Sequence, residues 1–159
     1  MAQMFSRIKN MFGIDGVKMS IDAPSTIDLT QNELNFELIV TSKSDLVLDN
    51  VSIKLIEKYR RGWGDSKLIN EYLLHESFEE LDMLISEEDK LVAPLKINFS
   101  YETSQVDRMG KNWLLRPFIK AALTAKRVQS KFRIEVTAKV KGVRMNPLAV
   151  HHFSKSKKY

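Results

Sequence analysis

Apolar and polar side chains alternate over residues 130–141. The apolar positions of this stretch are Phe132, Ile134, Val136, Ala138 and Val140. Successive side chains of a β-strand point to opposite faces of its sheet. The two-residue period therefore predicts a long strand with one buried face and one solvated face, around which the rest of the chain packs.

Shorter stretches with the same period precede this strand. They predict strands near 17–21, 34–41, 51–59, 67–76, 78–85 and 95–101. Residues 60–65 contain two glycines and predict the tip of a hairpin. Regularly spaced short strands separated by turns are typical of an antiparallel β-sandwich. The chain is therefore predicted to be all-β, with about seven to nine strands.

Two segments have helical spacing instead. Apolar residues at three- and four-residue intervals predict a short amphipathic leader helix within 1–14. Several alanines, with Pro117 placed in a first turn, predict an inserted helix near 117–128. Such an insertion either carries function or covers a sheet edge, and both interpretations stay open. The remaining organisation is one sandwich domain over 15–153 and a disordered basic tail over 154–159.

Composition limits the classes of protein to consider. With 159 residues, of which 43% are hydrophobic, the chain is long enough for one domain with a proper core. It contains no cysteine, which excludes disulfides, thiolate metal ligands and a cysteine nucleophile. No apolar run approaches the ~20 residues that cross a bilayer. Residues 1–16 also lack the apolar core of a signal peptide, so we expect a cytoplasmic protein.

The net charge of +5 conceals two blocks of opposite sign. Residues 76–89 contain seven acids and no Lys or Arg, whereas residues 108–144 contain eleven basic residues and one acid, Glu135. The blocks either face each other, within one molecule or between copies in a homo-oligomer, or form solvated surfaces. Nucleic-acid binding is disfavoured because stacking aromatic residues are sparse in the basic block.

Catalytic motifs are missing from the sequence. It has neither a Gly-x-Ser-x-Gly turn nor a glycine-rich phosphate loop. His75 is isolated, and the adjacent His151 and His152 would point to opposite sides of an extended segment. We therefore expect no enzyme activity, no cofactor and no metal site.

The tip at 60–64 is the first candidate contact point, because Trp and Arg are frequent anchors of protein interfaces. Alternatively, Trp63 folds back over its own hairpin. The inserted helix is the second candidate. The predicted protein-binding residues are Arg60, Arg61, Trp63, Phe118, Lys120 and Arg127.

The order of these elements resembles that of arrestin-like proteins, and in particular the bacterial sporulation-control group. The resemblance is carried by an apolar leader that runs into Val17–Ile21, by strands at 36–40 and 51–55, and by the late strand at 131–140. It implies an immunoglobulin-like sandwich that acts as an adaptor. The family's paired lysines of the first strand are reduced to Lys18, so the resemblance does not imply phosphate sensing.

The expected function is thus a non-enzymatic protein-binding or scaffolding module with an unidentified protein partner. The second hypothesis is a peripheral binder of an anionic membrane surface or polyanion, which would use the basic helix and the two termini.

Overall fold

The computed structural model of the protein describes residues 16–101 and 129–155. Eight strands lie within these ranges, and a short 3-10 turn at Gly64–Ser66 joins the fourth to the fifth. The strands are β1 (Val17–Asp22), β2 (Thr26–Ile27), β3 (Glu33–Ser42), β4 (Leu46–Arg61), β5 (Leu68–Ile85), β6 (Lys90–Asn98), β7 (Gln129–Lys141) and β8 (Leu148–Lys155).

The strands form two sheets. The smaller sheet has the order β1-β3-β6, and the larger has the order β2-β8-β7-β4-β5. All neighbouring strands are antiparallel except β2 and β8, which pair in parallel over two residues. This arrangement confirms the predicted all-β class and is consistent with a β-sandwich.

The core lies between the sheets and explains the alternation in the sequence. On β7, Phe132, Ile134, Val136 and Ala138 are fully buried, whereas the residues between them are not. Leu38 on β3 belongs to the same buried apolar cluster and is also fully buried. Burying a side chain of this size contributes about 1.5–3 kcal/mol. The predicted central strand is therefore confirmed.

One strand prediction was wrong. The segments 67–76 and 78–85 form the single strand β5, which pairs with β4 along nearly its whole length. Irregularities between Leu48 and Asn50 and between Leu55 and Ile56 shift the register of this pair. Because each shift moves the alternation by one residue, the sequence pattern looks like two strands.

The other departures lie at chain ends. Ser154 and Lys155, which were assigned to the disordered tail, belong to β8 and pair with Thr26 and Ile27. Residues 156–159 lie outside the described residues. So do the predicted leader helix within 1–14 and the predicted inserted helix near 117–128.

Candidate functional site

The hairpin between β4 and β5 ends in a tightly bonded turn. Gly62 has φ of +90°, and a Cβ there would lie 2.6 Å from the carbonyl oxygen of Ser66. Ser66 donates two hydrogen bonds to the carbonyl oxygen of Trp63, from its N–H at 3.0 Å and from its hydroxyl at 2.8 Å. The turn thus fixes the backbone of Trp63, whose residue surface is 52% exposed.

An ion network lies on the outer face, by which we mean the face of the five-stranded sheet that points away from the three-stranded sheet. Arg133 on β7 donates two hydrogen bonds to Glu71 on β5, at 2.9 and 3.0 Å, and one to Glu135 at 2.6 Å. These bonds hold the pKa of Glu71 below its ordinary value and raise that of Arg133. Both oxygens of Glu71 are therefore occupied.

Other cations of the outer face also have carboxylate partners. Lys54 on β4 contacts Glu76 on β5 at 3.1 Å. At the end of the sheet remote from the hairpin tip, Lys141 lies 3.7 Å from both Asp49 and Asp82. Since Asp82 belongs to the acidic block and Lys141 to the basic block, the two blocks meet within one molecule at this point. Homo-oligomerisation stays a prediction.

The cations nearest the tip differ. Lys58, Arg60, Lys67 and Lys131 are exposed, and none forms a salt bridge with a residue of the described ranges. Lys58 and Lys131 lie directly opposite each other on β4 and β7. Like charges in such a cross-strand pair are destabilising. Among the described residues, this end of the sheet therefore carries more cations than acids, and Glu71, directly opposite Lys58, offsets part of the positive charge.

Two open depressions lie over these cations, with volumes of about 550 and 150 Å³. Lys58 and Lys131 line both of them. Arg133 completes the cationic lining of the larger depression, and Arg60 and Lys67 that of the smaller. Glu71 also lines the larger depression, where Arg133 is already bonded to Glu71 and Glu135, so the smaller depression is the more cationic of the two.

A second surface follows β5, which is an edge strand in the described part of the sheet. Its outward-facing positions alternate between apolar and acidic residues. In chain order they are Ile69, Glu71, Leu73, Glu76, Phe78 and Glu80. Leu73 is 55% exposed and Phe78 is 60% exposed. Large apolar side chains exposed along one strand indicate a contact surface.

The predicted site residues of the hairpin lie together. Arg60 and Arg61 end β4, Trp63 follows in the turn, and all three are exposed. Their side chains do not form one patch, because Arg60 and Arg61 are consecutive strand residues and point to opposite faces.

The other predicted site residues, Phe118, Lys120 and Arg127, lie outside the described residues. The segment that carries them joins the described fold near the hairpin tip. Gln129 pairs with Arg60, and the Tyr101 hydroxyl donates to Glu57 over 3.4 Å.

Sequence reasoning did not single out Lys58, Lys131 or Phe78. The alternation of β4 and β7 places both lysines on solvated faces. However, their direct opposition depends on the register between two strands about 70 residues apart, which no local pattern encodes. Phe78 was assigned to a strand, and its exposure follows from the edge position of β5.

The described residues offer little for metal coordination or for membrane spanning. Residues 16–101 and 129–155 contain no group of three or more His, Asp or Glu residues that could hold a metal ion. His151 and His152 point to opposite faces, as predicted, since they pair with Ile134 and Arg133 respectively. No helix within the described ranges has the length and apolarity needed to span a bilayer.

Comparisons with known proteins show likeness of fold alone. No protein-family model and no curated protein matches the chain. It is similar to the crystal structure of Spo0M, a sporulation control protein from Bacillus subtilis, with a TM-score of 0.57 and 11% identity over 91% of this chain. That match covers 51% of the Spo0M chain, so this chain spans about half the length of that relative.

Weaker likenesses involve two archaeal structures. One is the CARDB domain of the Pyrococcus furiosus protein PF1109 in complex with di-metal ions, with a TM-score of 0.43, 10% identity and coverage of 96% of this chain and 98% of that one. The other is a protein from Archaeoglobus fulgidus, with a TM-score of 0.46, 9% identity and coverage of 94% and 99%. The resemblance to the sporulation-control group depends on the match to Spo0M and holds at the level of the fold.

Proposed function

We propose that this chain is a non-enzymatic protein-binding module that adds an extended segment of a partner protein to the edge of β5, which pairs on that side with no other described strand. The observation that carries the proposal is the exposed, alternating apolar and acidic surface of that strand. An edge strand offers unpaired backbone groups to an incoming strand, and alternate side chains then give specificity.

The acidic residues of β5 favour one kind of partner strand. Glu71 and Glu76 are engaged by Arg133 and Lys54, but Glu79 and Glu80 form no salt bridge with a described residue. A second copy of β5 laid against this edge would bring acids towards acids, which opposes self-pairing. A partner strand that alternates basic and apolar residues would place cations beside the glutamates and apolar side chains beside Leu73 and Phe78.

A synthetic peptide tests this proposal. A labelled peptide of about ten residues that alternates Lys and Val matches the length of a typical edge contact. We expect it to bind the full chain in a fluorescence anisotropy titration, more weakly as salt rises, whereas the corresponding Glu–Val peptide does not bind. Phe78→Ala should weaken binding by about tenfold or more, because the apolar contact is lost.

Met145→Ala is the matched control, because Met145 is also 60% exposed but lies outside β5. It should leave the affinity unchanged. The proposal is wrong if the two peptides bind equally well, or if Phe78→Ala has no more effect than Met145→Ala.

A further inference from the structure

The cations at the hairpin end form a surface distinct from the centre of the β5 edge. We define the tip surface by Lys58, Arg60, Trp63, Lys67, Ile69 and Lys131. The only acidic residue of the connecting turn is Asp65, and the nearest strand carboxylate, Glu71, already accepts two hydrogen bonds from Arg133. Among the described residues, the tip surface therefore carries net positive charge.

The position of these charges is not explained by the stability of the fold. On the same face, Lys139 and Lys141 contact Asp49, each at 3.7 Å. Lys58 and Lys131, by contrast, face each other and form no salt bridge with a described residue, although Lys58 also lies opposite Glu71 on its other side. An opposed pair of lysines is unfavourable in the isolated protein and becomes favourable when an anion lies over both side chains.

Exposed apolar groups adjoin these cations. Ile69, on the same face as Arg60, is 45% exposed, and Trp63 in the adjoining turn is 52% exposed. Tryptophan is enriched at the level of the lipid headgroups, where its ring is partly apolar and partly hydrated. An open group of cations beside such side chains matches the mixed charge and apolarity of a membrane interface.

From this combination we infer that the tip surface docks on anionic lipid bilayers. Lys58, Arg60, Lys67 and Lys131 contact the headgroup phosphates and carboxylates. Trp63 and Ile69 enter the interface beside them. This inference goes beyond the proposed protein binding at β5, because it concerns another ligand class and mostly other residues.

The test measures partitioning of the full chain onto vesicles of phosphatidylcholine, with and without phosphatidylserine. Binding should require phosphatidylserine and weaken as salt rises. Lys58→Gln combined with Lys131→Gln should lower the partition coefficient by about 30-fold, since each cation near an anionic surface contributes about fivefold. The matched control is Lys139→Gln with Lys141→Gln, which removes the same amount of charge from the same face of the sheet. It should change partitioning less than about twofold.

Trp63 supplies a local signal. The chain has two tryptophans, so Trp113→Phe leaves Trp63 as the one indole. Its emission should shift to shorter wavelength with phosphatidylserine vesicles and remain unchanged with phosphatidylcholine alone.

Three outcomes would overturn the inference. Partitioning that does not depend on phosphatidylserine excludes binding driven by electrostatic attraction to anionic lipids. Equal losses in the tip pair and the control pair show that net charge, rather than this surface, drives binding. Binding of a single-stranded oligonucleotide that depends on Lys58 and Lys131, without any binding to vesicles, assigns the surface to nucleic acid instead. All substituted lysines are exposed, and circular dichroism of each variant checks that the sheets are intact.

Discussion

Arg133 on β7 reaches across β4 to hold Glu71 on β5 through two hydrogen bonds, at 2.9 and 3.0 Å. The pair links two strands that are not neighbours in the sheet. It also occupies the carboxylate that lies directly opposite Lys58. Glu71 is thus shared between Arg133, which holds it through hydrogen bonds, and Lys58, whose positive charge also lowers the pKa of this carboxyl.

The pKa of Glu71 should depend on this pair. Arg133→Gln removes the hydrogen bonds that lower it, so the pKa should return towards its ordinary value of 4.5. Because the folded-state pKa is lowered, the stabilisation is present above the ordinary value and is lost as the pH falls through the folded-state value. Carboxyl NMR titration and denaturant unfolding across this range measure both effects.

A second pair provides the control for this titration. Lys96 lies 2.7 Å from Glu33 and lowers the pKa of that carboxyl in the same way. Lys96→Gln should therefore raise the pKa of Glu33 and leave that of Glu71 unchanged. A Glu71 that titrates at its ordinary value in the unsubstituted protein would contradict the assignment.

The core prediction compares two phenylalanines. Phe132 is fully buried, and its ring meets the edge of Tyr101 at a centroid distance of 5.9 Å. Phe132→Ala should lower the free energy of unfolding by about 3–5 kcal/mol, because it removes apolar burial and leaves a cavity. Phe78→Ala, at an exposed position, should change it by no more than about 0.5 kcal/mol. Urea unfolding measures both variants, and similar losses would refute this account of the core.

The turn prediction compares two glycines with positive φ. Gly62→Ala should lower the free energy of unfolding by more than about 1 kcal/mol, because the added Cβ meets the Ser66 carbonyl in addition to the backbone strain. Gly64→Ala has φ of +50° and nothing within 4 Å of the new Cβ, so its effect should be smaller. Thermal unfolding ranks the two variants, and the reverse order would contradict the turn geometry.

The charge prediction concerns Lys131. Lys131→Glu replaces the repulsion with Lys58 by attraction and should stabilise the protein by about 0.2–1 kcal/mol. The gain should shrink at high salt. Lys139→Glu, which loses the contact with Asp49, should bring no such gain. If Lys131→Glu destabilises the protein in low salt, repulsion between Lys58 and Lys131 does not lower the stability of the fold as we describe.

Side-chain alternation was enough to predict the sandwich class, but not all of its strands. The prediction for β7 was correct because its period is unbroken over 13 residues. β6 was predicted to begin near Leu95 but begins at Lys90 and includes Pro94. A proline is tolerated there because β6 lies at an edge of its sheet in the described residues.

The last strand was missed altogether. On β8, Ala149 and Phe153 are buried, but small and imidazole side chains weaken the apolar signal. The candidate surfaces were predictable only in part, for a similar reason. Trp63 and its neighbouring arginines stand out in the sequence, whereas the opposition of Lys58 and Lys131 arises from strand pairing.

The parallel pairing of β2 with β8 has a practical consequence for shortening the chain. A protein that ends at Phe153 would lack Ser154 and Lys155, against which Thr26 and Ile27 lie. The buried residue Ile27, which is 1% exposed, would therefore lose its paired strand through the loss of residues almost at the other end of the chain. Trimming for crystallisation or expression should therefore begin beyond Lys155.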